Sequence, residues 1–211
     1  MRKAVTLPGL ALMSLLTIAA TNGAPEGENT PEPRPWNVDA SHTEINFSVK
    51  HFFTPVTGTF RDYEIDLTFD AENPENSSVN VTIDVASIDT NNERRDNHLR
   101  SADFFDTETH PQMTFTSTSV REAAEGELMA TGDLTIKGIT QEVELGIKVL
   151  GITELSPEMQ EMFGGVVRVA GFEASTTIDR RTFEVGVANW AQTVVVGGDV
   201  NISIAVEANH K

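Results

Sequence analysis

The chain contains no cysteine, a single tyrosine and two tryptophans in 211 residues. Without cysteine there can be no disulfide, no thiolate metal site, no cysteine nucleophile and no lipidated N-terminal cysteine. Basic residues are also scarce: 15 Lys and Arg stand against 32 Asp and Glu, a net charge of −17. A body this acidic repels nucleic acid and anionic lipid surfaces, so neither is an expected partner. Signatures of common chemistry are missing too. There is no Gly-x-Ser-x-Gly nucleophile elbow, no phosphate-cradling Gly-Lys-Ser/Thr loop and no dinucleotide fingerprint. The five histidines, His42, His51, His98, His110 and His210, include no His-x3-His pair of the helical zinc type. Lysine scarcity on an acidic chain fits either an ordinary acidic exported protein or one kept soluble in high salt.

At the N-terminus, Met1-Arg2-Lys3 is positive and residues 4–20 are mostly apolar, interrupted by Pro8 and Gly9. Small residues follow as far as Ala24. That order is a secretory signal peptide, placed at 1–23. The uninterrupted apolar run, Leu10 to Ala20, is shorter than the roughly 20 residues a bilayer span needs, so no integral span is expected in the mature chain. Residues 24–35 carry Pro25, Pro31, Pro33 and Pro35 among polar residues and read as a solvated spacer.

The remainder, 36–211, reads as one domain of successive strands. Ile45, Phe47 and Val49 alternate with polar neighbours, as do Val79, Val81, Ile83 and Val85. Met113 and Phe115 open a further strand. Leu128, Ala130, Leu134 and Ile136 form the next, and Lys137-Gly138 turns into Val143, Leu145, Ile147 and Val149. Residues 167–178 and the even-numbered valines and isoleucines from Val194 to Val206 complete about eight strands. Val56, Gly58 and Phe60 lie in one phase and Tyr63, Ile65, Leu67 and Phe69 in the other, which predicts a β-bulge near Arg61-Asp62. Short connections and exposed edges favour an all-β, antiparallel up-and-down barrel. Two helical segments interrupt it. One lies within 90–105, where an Asp96–Arg100 pair four residues apart is expected. The other starts at Ser156-Pro157 and stops at Gly164-Gly165, with Met159, Met162 and Phe163 on one face; that face either packs on the barrel or forms an adaptable apolar lid over a lipid.

Several blocks are specific. Trp36-Asn37-Val38-Asp39, His42 and the run Ile45 to His51 come first, then Val56-Thr57-Gly58-Thr59-Phe60. Ser87-Ile88-Asp89-Thr90 and the run Arg95 to Asp106 follow. Gly132-Asp133-Leu134-Thr135-Ile136-Lys137-Gly138 and Gly171-Phe172-Glu173-Ala174 with Arg180 close the set. Together they resemble the YceI-like family. That resemblance implies a periplasmic, lipocalin-like barrel of a family known as polyisoprenoid-binding and not established as enzymes, some members of which look like dimers. Thr182 and Glu184 stand where the family usually has an acid and a glycine, and His110 stands where it has an aromatic before proline.

A small barrel can be filled by its own side chains or left hollow for one ligand. The interior candidates are Ile45, Phe47, Val49, Phe60, Val81, Ile83, Phe115, Leu134, Ile136, Phe172 and Ile178. Polar contacts at a barrel mouth fall to His51, Arg95, Asp96 and His98; the competing role for the Arg95 cluster is pinning its own loop. No catalytic residue, metal or cofactor is expected beyond an isoprenoid lipid as bound ligand. Three functions stand open: a carrier or store of an isoprenoid-type chain, a ligand-free structural or stress protein of the envelope, and a His–carboxylate metalloenzyme in which His42 and His51 converge.

Overall fold

The structure, a computed structural model, describes residues 35–192 and 194–211. The expected signal peptide and all but the last residue of the spacer lie outside these. Pro35 itself is not spacer: it opens β1 (Pro35–Val38) opposite Thr68.

Ten further strands follow: β2 (Glu44–His51), β3 (Thr54–Phe60), β4 (Tyr63–Thr68), β5 (Ser78–Asp84), β6 (Ile88–Asp89), β7 (Gln112–Ala124), β8 (Glu127–Ile136), β9 (Ile139–Glu154), β10 (Arg168–Asp179) and β11 (Val196–His210). Every pairing is antiparallel. The order β1-β4-β5-β7-β8-β9-β10-β11 is closed by β1 against β11, which makes an eight-stranded barrel. β2, β3 and β6 continue β1, β4 and β5 lengthwise, so the first three barrel strands are each bent in two.

The phase change after Phe60 marks such a break rather than a bulge. β3 pairs with β2 and β6, whereas β4 pairs with β1 and β5. Arg61 and Asp62 leave the ladder, and their backbone is satisfied by Ser87 and Asp84 across the bend. Val194, expected in the last strand, precedes it and is exposed.

The long strands meet in direct register. Leu128, Ile147, Ala174, Ile204, Ile45 and Phe60 are successive cross-strand partners and form a belt around much of the wall. The turn between β8 and β9 is Lys137-Gly138, both at positive φ, as a two-residue hairpin of this hand requires.

The two ends of the barrel differ. One end is closed by the connections 85–111 and 180–192. The first carries α1 (Glu93–Arg100), capped by the Asn92 side chain accepting from Arg95 N–H. The most deeply buried large side chains, Phe183, Ile88 and Val85, all lie here. At the other end, loop 69–77 joins β4 to β5, and α2 (Pro157–Met162) joins β9 to β10. Ser156 caps α2 as its sequence predicts, accepting from Met159 N–H. The helix does not pack on the barrel, however: Met159, Met162 and Phe163 are exposed. The connection holds itself together through its own backbone, with Gln160, Phe163 and Gly165 bonded within it and Leu155 bonded to Val167, and so lifts its apolar face away from the wall.

Candidate functional site

The interior is divided. Toward the closed end it is solid. Phe60, Ile83, Phe115, Leu134 and Ile136 are buried in the core, with Phe47 and Ile178 half-buried against it. Val49, near the last rung of β2, is half-buried and outside that cluster.

Toward the open end lies an apolar cavity. Its volume is about 70 Å³. For scale, an engineered apolar cavity that admits benzene measures roughly 150 Å³. Of the eleven interior candidates, Ile45, Val81 and Phe172 line this cavity. Its remaining walls come from Ile65, Leu67, Phe69, Val79, Val120, Leu128, Leu145, Ile147, Ala174, Ile204 and Val206, with Thr68, Ser77 and Ser78 at the loop end. Most of these share the inward phase of their strands, so periodicity marks them as interior. It does not say which half of the barrel stays hollow.

Three aromatic side chains stand at the cavity's outer end. Phe69 meets Phe172 edge to face at 5.0 Å, and Trp36 lies 6.3 Å from Phe69 and 4.2 Å from His210. The indole N–H of Trp36 donates to the Phe69 carbonyl at 3.1 Å, which satisfies a polar group that burial would otherwise penalise. Loop 69–77 is shaped by one carboxylate: Asp70 accepts from the N–H groups of Asn73 and Glu72. Those bonds, Asn73 first, hold Asp70 below the ordinary carboxylate range.

The four polar residues expected at a mouth sit at the closed end instead. Arg95 donates to the Thr90 hydroxyl and carbonyl, both at 2.7 Å. Asp96 is buried and accepts from Thr90. No Asp96–Arg100 pair forms, because Arg100 reaches the carbonyls of Ala86 and Ile88. His98 pairs with Asp103 at 3.1 Å and lies edge-on to Phe104 and Trp190. His51 is exposed beside Phe52.

Sequence reasoning passed over Arg180 as a structural centre. Its buried guanidinium donates to the carbonyls of Val185, Gly186, Trp190, Val196 and Gly197. Burial, with a smaller contribution from Arg181, pulls its pKa below the ordinary arginine value while Asp179 opposes. Gly186 has positive φ, and a Cβ there would strike both Phe104 and Arg180, so the knot requires glycine. Glu184, the departure from the family pattern, adopts φ +54°, a conformation in which glycine is at ease.

His42 and His51 do not converge: β2 separates them by about 23 Å of extended strand. Among the described residues one group of three ligating side chains comes together, Asp39, His42 and Glu207. His42 Nδ1 is 3.0 Å from Asp39 and 3.7 Å from Glu207. This is a surface cluster, with the His42 side chain 65% exposed. A hollow of about 530 Å³ with mixed polar and apolar walls lies on the outer wall, bordered by Asn46, Lys148, Glu173 and Ser175, and is open to solvent.

Comparison with known proteins agrees with this architecture. The family model of the YceI-like domain matches residues 36–208. Protein YceI of Escherichia coli O157:H7 is 43% identical over 148 residues, 70% of this chain and 73% of that protein. Among solved structures, BcnA of Burkholderia cenocepacia superposes with a TM-score of 0.72 at 27% identity, covering 82% of this chain and 99% of that one. A domain from Saccharophagus degradans described as polyisoprenoid binding superposes at 0.59 and 15% identity, covering 85% and 99%; at that identity the likeness is one of fold. With that match running through the barrel from β1 to β11, the chain belongs to the YceI-like family.

Proposed function

We propose that this protein is an exported lipid-binding protein that holds the tail of an isoprenoid-type lipid, a polyprenyl chain or quinone tail, for transport, storage or stress protection. The observation that supports the reading is a cavity walled by apolar side chains, with no charged side chain among the described residues that line it, in the half of the barrel away from α1. Each methylene moved from water into such a wall is worth about 0.8 kcal/mol, so binding needs no charged anchor. The family resemblance selects the isoprenoid among apolar chains. Because the cavity is narrow, a tail of several isoprene units enters by displacing lining side chains such as Phe69 and Phe172. Binding, not catalysis, is the activity this reading assigns. The site of action would be the periplasm or the exterior, reached through the signal peptide at 1–23.

The small cavity favours one competitor, a barrel packed shut that serves the envelope without a ligand. Native mass spectrometry of the untagged mature protein, purified from its own envelope and then extracted with solvent, separates the two. A bound mass that extracts as an isoprenoid establishes the lipid reading. A ligand-free mass that persists after incubation with polyprenyl lipids establishes the closed barrel.

A further inference from the structure

We infer that the connection carrying α2 docks the barrel on a bilayer of zwitterionic lipid, with the cavity's outer end against the membrane. The use of that contact, loading or unloading a tail, rests on the lipid reading above.

Nine large apolar side chains stand exposed among the described residues, and six of them, Leu150, Ile152, Met159, Met162, Phe163 and Val167, fall within 150–167. Met162 is 76% exposed. The exposure is built in. Ser156 caps α2, the Gln160 amide donates to the Leu155 carbonyl at 2.8 Å, and the Gly165 N–H returns to the Gln160 carbonyl. These bonds satisfy the connection from within and leave its apolar side chains in solvent.

The face sits at the rim of the barrel. Arg168 pairs with His210 across the ladder, the Val167 N–H donates to the His210 carbonyl, and the His210 ring meets Trp36 at 4.2 Å. The connection therefore leaves the wall at the rung that carries the aromatic side chains of the cavity's outer end. A tail passing between bilayer and cavity crosses this rim.

The face fits a bilayer better than it fits protein. Residues 24–34, the expected spacer, offer only alanine and proline as apolar side chains, a poor cover for methionine and phenylalanine. For a second copy the patch is small. A large apolar side chain presents on the order of 150–200 Å² when fully exposed, so the six leave roughly 500–600 Å², below the ~800 Å² that each partner gives a standard interface. A two-fold copy would also set Glu158 and Glu161 against their own images, and facing like charges cost affinity. Interfacial binding scales with the apolar area inserted and needs no complementary relief, and methionine adapts to an irregular apolar surface. Charge selects the lipid. Glu158 and Glu161 directly precede Met159 and Met162. Their carboxylates suit the ammonium groups that phosphatidylcholine and phosphatidylethanolamine present outermost, whereas an anionic surface meets the chain's net charge of −17.

The test floats the intact mature protein with phosphatidylcholine vesicles, and with vesicles that also carry phosphatidylglycerol. The variant Met162→Asn/Phe163→Ser, whose positions are exposed, is run beside it after thermal unfolding confirms its fold. We expect the parent to float with phosphatidylcholine and the variant to partition at least tenfold less. Phosphatidylglycerol should weaken the parent's binding at least threefold at low salt, and added salt, which screens exposed charges, should restore it. Farnesol uptake from the vesicles should slow at least fivefold in the variant, with farnesol affinity unchanged when it is supplied from cyclodextrin. A parent that does not float, or a variant that floats as well, overturns the inference. So does a parent that sediments as a dimer beside a monomeric variant, which gives the face to a second copy. A protein that floats but takes no farnesol from cyclodextrin overturns the lipid reading and leaves the docking surface standing.

Discussion

Asp96 receives both the backbone N–H of Thr90, at 3.0 Å, and the Thr90 hydroxyl on a single carboxylate oxygen. Arg95, its neighbour on α1, grips the same threonine through its hydroxyl and carbonyl. The helix is thereby stitched to the end of β6, and the barrel is plugged on that side. Both residues are part of the stopper, and neither faces the cavity. Replacing Asp96 by Ala leaves a buried N–H and hydroxyl without an acceptor. The expected loss is about 2–3 kcal/mol in urea unfolding, with the affinity of the folded variant for farnesol unchanged. A folded Asp96→Ala protein that no longer binds lipid would return this cluster to the binding site.

Arg180 has a parallel role in the second connection. Truncation to Ala strands several buried carbonyls, and a loss of about 3–5 kcal/mol is expected, enough to approach the whole stability of a small domain. Arg180→Lys should recover only part, because an ammonium cannot span five acceptors with the geometry of a guanidinium. Thermal unfolding of the two variants beside the parent reads the order directly.

Glu184→Gly should stabilise the protein. Non-glycine residues in the left-handed region cost about 1–2 kcal/mol, partly offset by the greater freedom of glycine when unfolded. A net gain of about 0.5–1 kcal/mol is expected in denaturant midpoints. Lys137 donates to the Glu184 carbonyl at 2.9 Å, a contact the substitution retains.

His42 should titrate above an ordinary histidine, because Asp39 bonds and attracts its charged form and Glu207 adds attraction. The pair therefore favours the folded state fully below the unfolded histidine pKa of about 6.5. That contribution fades as pH rises through the elevated folded value. Asp39 is lowered by the same contact, so its share is present above the ordinary aspartate pKa and disappears as pH falls through the lowered one. NMR titration of the histidine ring protons should show the His42 midpoint moving down in Asp39→Asn.

Much of the architecture was legible because alternation survives in β5, β8, β9 and β10, where each inward residue meets an inward residue across the ladder. The phase flip after Phe60 was also visible, but its cause was not. Alternation records which face a residue takes and is silent on which strand it pairs with, and only the partners of β3 and β4 distinguish a break from a bulge. The same limit applies to the cavity. Phe115 and Ile147 are equally apolar and both point inward, yet one lies in solid core and the other lines empty space, a difference set by what the two end loops fill. Arg95 and Asp96 drew notice as a polar motif whose partner, Thr90, is close in sequence. The five carbonyls around Arg180 carry no sequence signature, since any residue supplies one.

The central claim, that an apolar tail occupies the open half of the barrel, can be tested at the two tryptophans. Trp36 stands at the outer end of the cavity beside Phe69, and Trp190 lies at the closed end beside His98 and Phe104. A prenyl or alkyl lipid brominated along its tail quenches only an indole within contact range. With Trp190→Phe protein, in which Trp36 is the remaining emitter, the account predicts saturable quenching as the lipid is added, and its loss when Ala174→Phe fills the belt. No quenching of Trp36, or equal quenching of Trp190 in the Trp36→Phe protein, would contradict it.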